Sequence, residues 1–382
     1  MEPSKDMSKP NPISRRDALA ALSIMASVPL FDACGASAAT GTTPTTPTTP
    51  TTPVLPAAPS SFPAYPTTGN FVATPASIVE PVSGRTMPYQ FFIPTGATPS
   101  TPLPLVIFIM GVGQRGGNAG AFVDPANLIS GNFGGNVNTN KASYPYFALL
   151  PQFAGGPDPA GQRYGRLGFY KMLVDALSKF NIDRTRMHLA GYSYGAYQSF
   201  ALAYKYPKIF ASLSLFDGVP GFFNLTNEGE SGSDLMSGTT VTTDVQARTL
   251  WAQAVGDIPL NYQHGALDSN SFTGALPASP TPQQINDFVT RANDPLTSGW
   301  FGTFAANGRT VPTTVAATTS PSPAYPTSTK HVYVPYANYD HGGLNSGTPY
   351  GFNSPWWNWL TDRKSTRLNS SHLRLSRMPS SA

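Results

Sequence analysis

The pentapeptide Gly191-Tyr192-Ser193-Tyr194-Gly195 sits where the periodicity of the chain changes, and that change limits what can be built around it. Before it, Met187 to Ala190 is a short apolar run of strand character. After it, Ala196, Phe200, Ala203 and Tyr206 recur at helical spacing until Pro207 interrupts them. A strand that passes into a helix within five residues needs a very tight turn, and the glycines flanking Ser193 supply the room. Such a turn holds the serine hydroxyl out above the sheet. The helix that follows aims the positive end of its dipole at the same place, together with the backbone amide of Tyr194.

Either side of this turn, short apolar runs alternate with helical patterns, which predicts one α/β domain with a mostly parallel sheet. Tyr89 to Ile93, Leu105 to Met110 and Phe147 to Leu150 read as strands. The second of these is continuously apolar between Pro104 and Gly111, as expected of a strand covered on both faces. Leu167, Phe169, Met172, Leu173, Ala176, Leu177 and Phe180 fall mostly on one helical stripe that ends at Asn181. Further strands are predicted at Ala211 to Phe216, Pro259 to Gln263 and His331 to Pro335, with a helix at Gln283 to Ala292. Trp300 to Thr329, rich in Thr, Ser and Pro, reads as a surface insertion. Trp356, Trp357 and Trp359 read as part of a final helix covering the sheet.

The segment Ile182-Asp183-Arg184-Thr185-Arg186-Met187-His188-Leu189-Ala190, the turn itself, and Tyr206-Pro207 through Phe210-Ala211 together resemble the α/β-hydrolase family. More narrowly, they resemble its secreted esterases of the polyhydroxybutyrate depolymerase and feruloyl-esterase type, over roughly Leu103 to Tyr350. The resemblance implies a serine hydrolase that cleaves small-molecule or polymeric carboxylic esters through an acyl-enzyme, without a cofactor. A peptidase or thioesterase shares the same scaffold, and a non-catalytic surface protein that kept the fold but binds through its stalk and aromatics is a third reading.

A serine hydroxyl is a poor nucleophile near neutral pH and needs an imidazole to take its proton and a carboxylate to orient that imidazole. Five histidines are available. In the family the order along the chain is serine, acid, histidine, with the histidine in a loop after the last strand. His341, in Tyr339-Asp340-His341-Gly342-Gly343, fits that order. His188 lies inside the strand leading to the turn, His331 begins a strand, and His372 falls near the C-terminus. His264-Gly265-Ala266-Leu267-Asp268 resembles the family's His-Gly-x-x-Asp segment, which implies Asp268 as the acid and His264 as a residue orienting its loop. Asp217 is the second candidate for the acid and Asp340 the third.

The family places a second oxyanion donor in the loop after the early apolar strand, here Met110-Gly111-Val112-Gly113, which points to the amide of Val112. Met110 stands where the family has His. No Gly-Lys-Ser/Thr follows these glycines, so they do not read as a phosphate loop. Nothing recommends a metal: there is no His-Glu-x-x-His, and a single cysteine makes no thiolate cluster. Trp300, Phe301, Tyr336 and Tyr339 are candidates to line an acyl or aryl pocket.

Charged residues make up 12% of the 382 residues, and the net charge of +4 would suggest a nucleic-acid partner if it were spread over the body. It is not. Arg363, Lys364, Arg367, Arg374 and Arg377 against Asp362 account for the whole excess, and the stretch DRKSTRLNSSH from Asp362 resembles one reading frame of a sequencing adapter. Residues 362–382 are therefore read as a tail without evolved structure, and no nucleic-acid partner is expected. At the other end, Ser14-Arg15-Arg16-Asp17 and the apolar run Ala18 to Leu30 describe a bacterial export signal of twin-arginine type, too short to span a bilayer. Phe31-Asp32-Ala33-Cys34-Gly35 resembles a lipoprotein processing site, with Cys34 as the point of lipidation and membrane attachment. Thr-Thr-Pro repeats follow from Gly41, a composition that favours extended polyproline II over a core. The expected organisation is an export signal at 1–34, a linker at 35–66, the α/β domain at 67–361 and the tail at 362–382, in a periplasmic or cell-surface protein.

Overall fold

In the computed structural model, the described residues are 55–73, 87–111, 132–152, 166–206, 209–218, 258–268, 300–320, 329–341 and 351–363, with a few isolated positions between them. Nine strands form one sheet in the order β1-β2-β4-β3-β5-β6-β7-β9-β8. They are β1 (Asn70–Ala73), β2 (Tyr89–Ile93), β3 (Leu103–Ile109), β4 (Phe147–Pro151), β5 (Ile182–Tyr192), β6 (Ser212–Phe216), β7 (Leu260–Gly265), β8 (Thr313–Thr314) and β9 (His331–Tyr336). β2 runs antiparallel to both its neighbours, and every other pairing is parallel.

The five described helices are α1 (Asn132–Thr139), α2 (Arg166–Lys179), α3 (Tyr194–Lys205), α4 (Trp300–Ala306) and α5 (Pro355–Thr361). A strand sends alternate side chains to opposite faces, and β3 is apolar at every position because both faces are covered. Leu105, Ile107 and Ile109 join the cluster with Phe169, Met172 and Leu173 of α2 and Ala196 and Phe200 of α3. Val106 and Phe108 face the other way, toward Phe133 of α1 and Trp356, Trp357 and Trp359 of α5. Ser354 caps α5 by accepting from the Trp357 amide, and Pro355 opens it. The Trp356 indole donates to Ser214 Oγ at 2.8 Å and the Trp359 indole to the Thr329 carbonyl at 2.9 Å, so α5 is pinned to the sheet by polar as well as apolar contacts.

Three expectations change. The stretch 300–329 is not a bare surface insertion: Phe301 and Phe304 of α4 are fully buried, and β8 adds an edge strand to β9. The linker does not extend to residue 66. Leu55 and Tyr65 pack on the core, the Tyr65 ring lies 5.5 Å from that of Phe180, and the Asn181 amide donates to its hydroxyl at 3.0 Å. Tyr65 is half-buried, its ring packed on the core and its hydroxyl paired, which a polyproline linker would not provide. At the other end, Asp362 caps α5 and Arg363 is buried, its guanidinium donating to the Thr329 carbonyl at 2.9 Å and lying 4.6 Å from the Trp359 ring. Residues 1–54 and 364–382, including Cys34, lie outside the described residues. Among the described residues no helix is long and apolar enough to cross a membrane.

Candidate active site

β5 ends at Tyr192 and α3 begins at Tyr194, leaving Ser193 alone to make the turn. Its backbone sits at φ 53° and ψ −117°, a conformation that non-glycine residues rarely hold. Hydrogen bonds keep it there: the Ser193 amide donates to the Phe216 carbonyl at 2.8 Å, and the Ala196 amide to the Ser193 carbonyl at 2.9 Å. The two glycines permit close packing of backbone on backbone. A Cβ at Gly191 would lie 2.1 Å from the Gly195 carbonyl oxygen, and one at Gly195 would lie 1.9 Å from that of Ile109, so any larger residue would push the turn apart.

The turn stands at the carboxyl ends of the parallel strands, beside the exits of β7 and β9. There Ser193 Oγ and His341 Nε2 are 2.6 Å apart, and His341 Nδ1 and Asp268 Oδ2 are 2.9 Å apart. Three residues separated by up to 148 positions thus form one continuous line of hydrogen bonds. The loops carrying the last two are tied together: the Ala266 amide donates to the Tyr336 carbonyl at 2.8 Å and the Leu267 amide to that of Tyr339 at 2.9 Å. Asp268 is 1% exposed while the His341 side chain is 34% exposed, so the carboxylate is shielded and the imidazole opens toward solvent. This is the α/β-hydrolase fold. A strand order with β2 reversed, a strand–serine–helix turn on the central strand, and an acid and a histidine after later strands define it.

Behind the line lies a second, wholly buried layer. His264 Nε2 is 3.5 Å from Asp268 Oδ2, and its Nδ1 is 2.9 Å from the Tyr262 hydroxyl and 3.8 Å from Asp217 Oδ1. Burial, against the opposing pull of Asp268, brings the His264 pKa down to about 4, so the ring is neutral at pH 7. A proton on Nε2 then faces Asp268 and leaves Nδ1 to accept from Tyr262. Asp217, at φ 48°, accepts from the Gly265 amide at 2.7 Å. Its carboxyl is held well above the ordinary range by burial first and by the charge of Asp268 second. A neutral Asp217 avoids a second negative charge beside Asp268.

Asp217, His264 and Asp268 offer three donor atoms within 4.8 Å of one another. The Asp217 and Asp268 carboxylates lie beside opposite nitrogens of the His264 ring, at 3.8 Å and 3.5 Å.

The other candidates divide clearly. His188, 1% exposed, is 2.9 Å from Ser212 Oγ within the sheet, and burial lowers its pKa to about 3. Asp340 is exposed at the surface of the His341 loop. Tyr194 is the first residue of α3, where backbone amides have no partner within the helix, whereas Val112 and the side chain of Trp300 lie outside the described residues. Phe301 and Tyr336 are buried. Phe301 packs on Tyr262 and Tyr333, and the Tyr336 hydroxyl donates to Gln263 Oε1 at 2.8 Å inside the sheet, because both sit on elements whose faces are covered. Tyr339 is half-buried, 5.1 Å from the Tyr336 ring. Tyr192 was not singled out by the sequence, since the second position of the pentapeptide carries no spacing signal. Its hydroxyl nevertheless donates to the main-chain carbonyl of His341.

No protein-family model matches the chain, and no curated protein does. Among solved structures, a thermostable esterase is similar at 19% identity and TM-score 0.46, covering 77% of this chain and 63% of that one. The fluorophosphonate-binding serine hydrolase FphF of Staphylococcus aureus is similar at 14% identity and TM-score 0.45, covering 77% and 98%. An acetyl xylan esterase from Aspergillus awamori is similar at 17% identity and TM-score 0.44, covering 71% and 94%. This chain spans less than two thirds of the thermostable esterase. At these identities the likeness concerns the fold, which rests here on strand order and the turn.

Proposed function

We propose that the protein is a serine hydrolase that cleaves carboxylic esters through an acyl-enzyme, with Ser193 as nucleophile, His341 as general base and Asp268 as the acid that orients it. The observation that supports this most is the 2.6 Å approach of Ser193 Oγ to His341 Nε2, with Nδ1 of the same ring at 2.9 Å from a shielded carboxylate. Ser193 Oγ attacks the ester carbonyl while its proton passes to Nε2, and the negative charge moves to the carbonyl oxygen. The imidazolium formed faces Asp268, which stabilises it and fixes the proton on Nδ1.

On this reading the amides of Tyr194 and Val112 receive the oxyanion, the first at the positive end of α3; removal of one such donor typically costs about 10²–10³ in kcat. His341 then protonates the departing alkoxide. Water attacks the acyl-enzyme as His341 takes its proton, and His341 returns that proton to Ser193 Oγ as the acyl–Oγ bond breaks and the carboxylic acid leaves. The segment around Cys34 and the export signal before it make the protein, in this reading, a lipid-tethered periplasmic or surface enzyme acting on small or polymeric esters.

The test is turnover of a short-chain aryl ester, with amide and thioester analogues assayed in parallel. Ser193→Ala is expected to abolish ester hydrolysis with unchanged far-UV circular dichroism. Undiminished turnover in a folded Ser193→Ala variant refutes the proposal, and a preference for amides or thioesters reassigns the substrate class.

A further inference from the structure

We infer that Tyr192 is a positioning residue that holds His341 over the serine, an inference that rests on the functional reading above. His341 follows β9, and two main-chain carbonyls in this stretch accept hydrogen bonds from other elements. In the first, the Leu267 amide donates to the Tyr339 carbonyl at 2.9 Å, which ties the loop to the one carrying Asp268. In the second, the Tyr192 hydroxyl donates to the carbonyl of His341 itself. The first contact fixes the loop relative to the acid. The second fixes it relative to the nucleophile, because Tyr192 is the residue immediately before Ser193 and the last of β5.

The tyrosine is itself immobilised. It is 5% exposed, belongs to the apolar cluster with Ala190 and Phe216, and meets Gly111 so closely that a Cβ there would lie 3.0 Å from its Cδ1. Gly111 begins the glycine segment after β3, so a single side chain touches the exit of β3, the serine turn and the histidine loop. Its ring centroid is 5.7 Å from that of His341, at an interplanar angle of 33°. A π-face at that distance favours the charged ring that exists only after the proton has moved. The hydroxyl sets where the imidazole stands, and the ring supports it once protonated.

The perturbation that isolates the hydroxyl is Tyr192→Phe, which keeps the ring and its packing. On a short-chain aryl ester, kcat is expected to fall about tenfold, the scale of one lost hydrogen bond, with KM changed by less than about twofold. The rate of covalent labelling of Ser193 by a fluorophosphonate should fall by the same factor, because labelling needs the same activated hydroxyl. The thermal midpoint should stay within about 2 °C of wild type, since the loss of one hydrogen bond shifts the midpoint of a chain of this size only slightly. Unchanged kcat and labelling rate in Tyr192→Phe overturn the inference. So does a loss of kcat that follows a large fall in the thermal midpoint, which would make Tyr192 a stability residue only. A wild-type protein that hydrolyses no ester and takes no label overturns the functional reading itself, and this inference with it.

Discussion

Acidification should destabilise the protein through His188. The ring is 1% exposed on β5, between its neighbours β3 and β6, and burial first and the charge of Arg186 second lower its pKa from 6.5 to about 3. A histidine with a depressed folded pKa binds fewer protons folded than unfolded. It therefore costs nothing above pH 6.5 and destabilises progressively as the pH falls from 6.5 toward 3. Relative to pH 7.5, the cost is about 1.4 kcal/mol at pH 5.5 and about 2.7 kcal/mol at pH 4.5.

His264 adds to this with the same sign, and Asp217, held protonated in the fold, contributes with the opposite sign as pH rises above the unfolded carboxyl value. A variant comparison removes both. In urea unfolding followed by circular dichroism, His188→Asn loses packing and the partnership with Ser212 at pH 7.5 and is the less stable protein there. The gap between it and wild type should narrow by about 2.7 kcal/mol between pH 7.5 and 4.5. A gap that stays constant over that range would mean that His188 titrates normally in the fold, and the account of the sheet interior as closed to charge would fail.

Asp268→Asn replaces the acceptor facing His341 Nδ1 with a group that favours the wrong tautomer, so kcat on an aryl ester should drop by about 10⁴-fold with little change in KM, measured at saturating substrate. Cys34→Ser, expressed with its export signal intact, should move the protein from the membrane fraction to the soluble one and remove the diacylglyceryl mass increment on the processed N-terminus; identical fractionation and mass in both forms would contradict lipid attachment.

The sheet was legible because strands buried on both faces write nearly continuous apolar runs, whichever way they pair, and Tyr89–Ile93, Phe147 to Leu150 and His331 to Pro335 coincide with strands to within a residue or so. β5 was read too short, since its first half is polar at Asp183, Arg184, Thr185 and Arg186 and pairs with β3 through an irregularity in register. α4 and β8 were missed for a different reason: seven residues and two residues are too short to show a period, and only the tertiary burial of Phe301 and Phe304 reveals what holds them.

At the site, Ser193 carries a local signature, His341 is singled out by its place along the chain, and Asp268 by the resemblance of its segment to the family's His-Gly-x-x-Asp. The buried position of Asp217, offered by the sequence only as a second candidate for the acid, and those of Tyr262 and Tyr192 could not be read in this way. Their roles come from contacts across the sheet, between residues that no spacing rule connects, such as the 48 positions separating Asp217 from the Gly265 amide.

Fluorophosphonate labelling, with the modified residue located by mass spectrometry and the rate compared between wild type and His341→Ala, goes to the heart of the account. It predicts a single adduct on Ser193, formed at least about 10³-fold more slowly without the imidazole. An adduct on another residue, or equal rates in the two proteins, would contradict it.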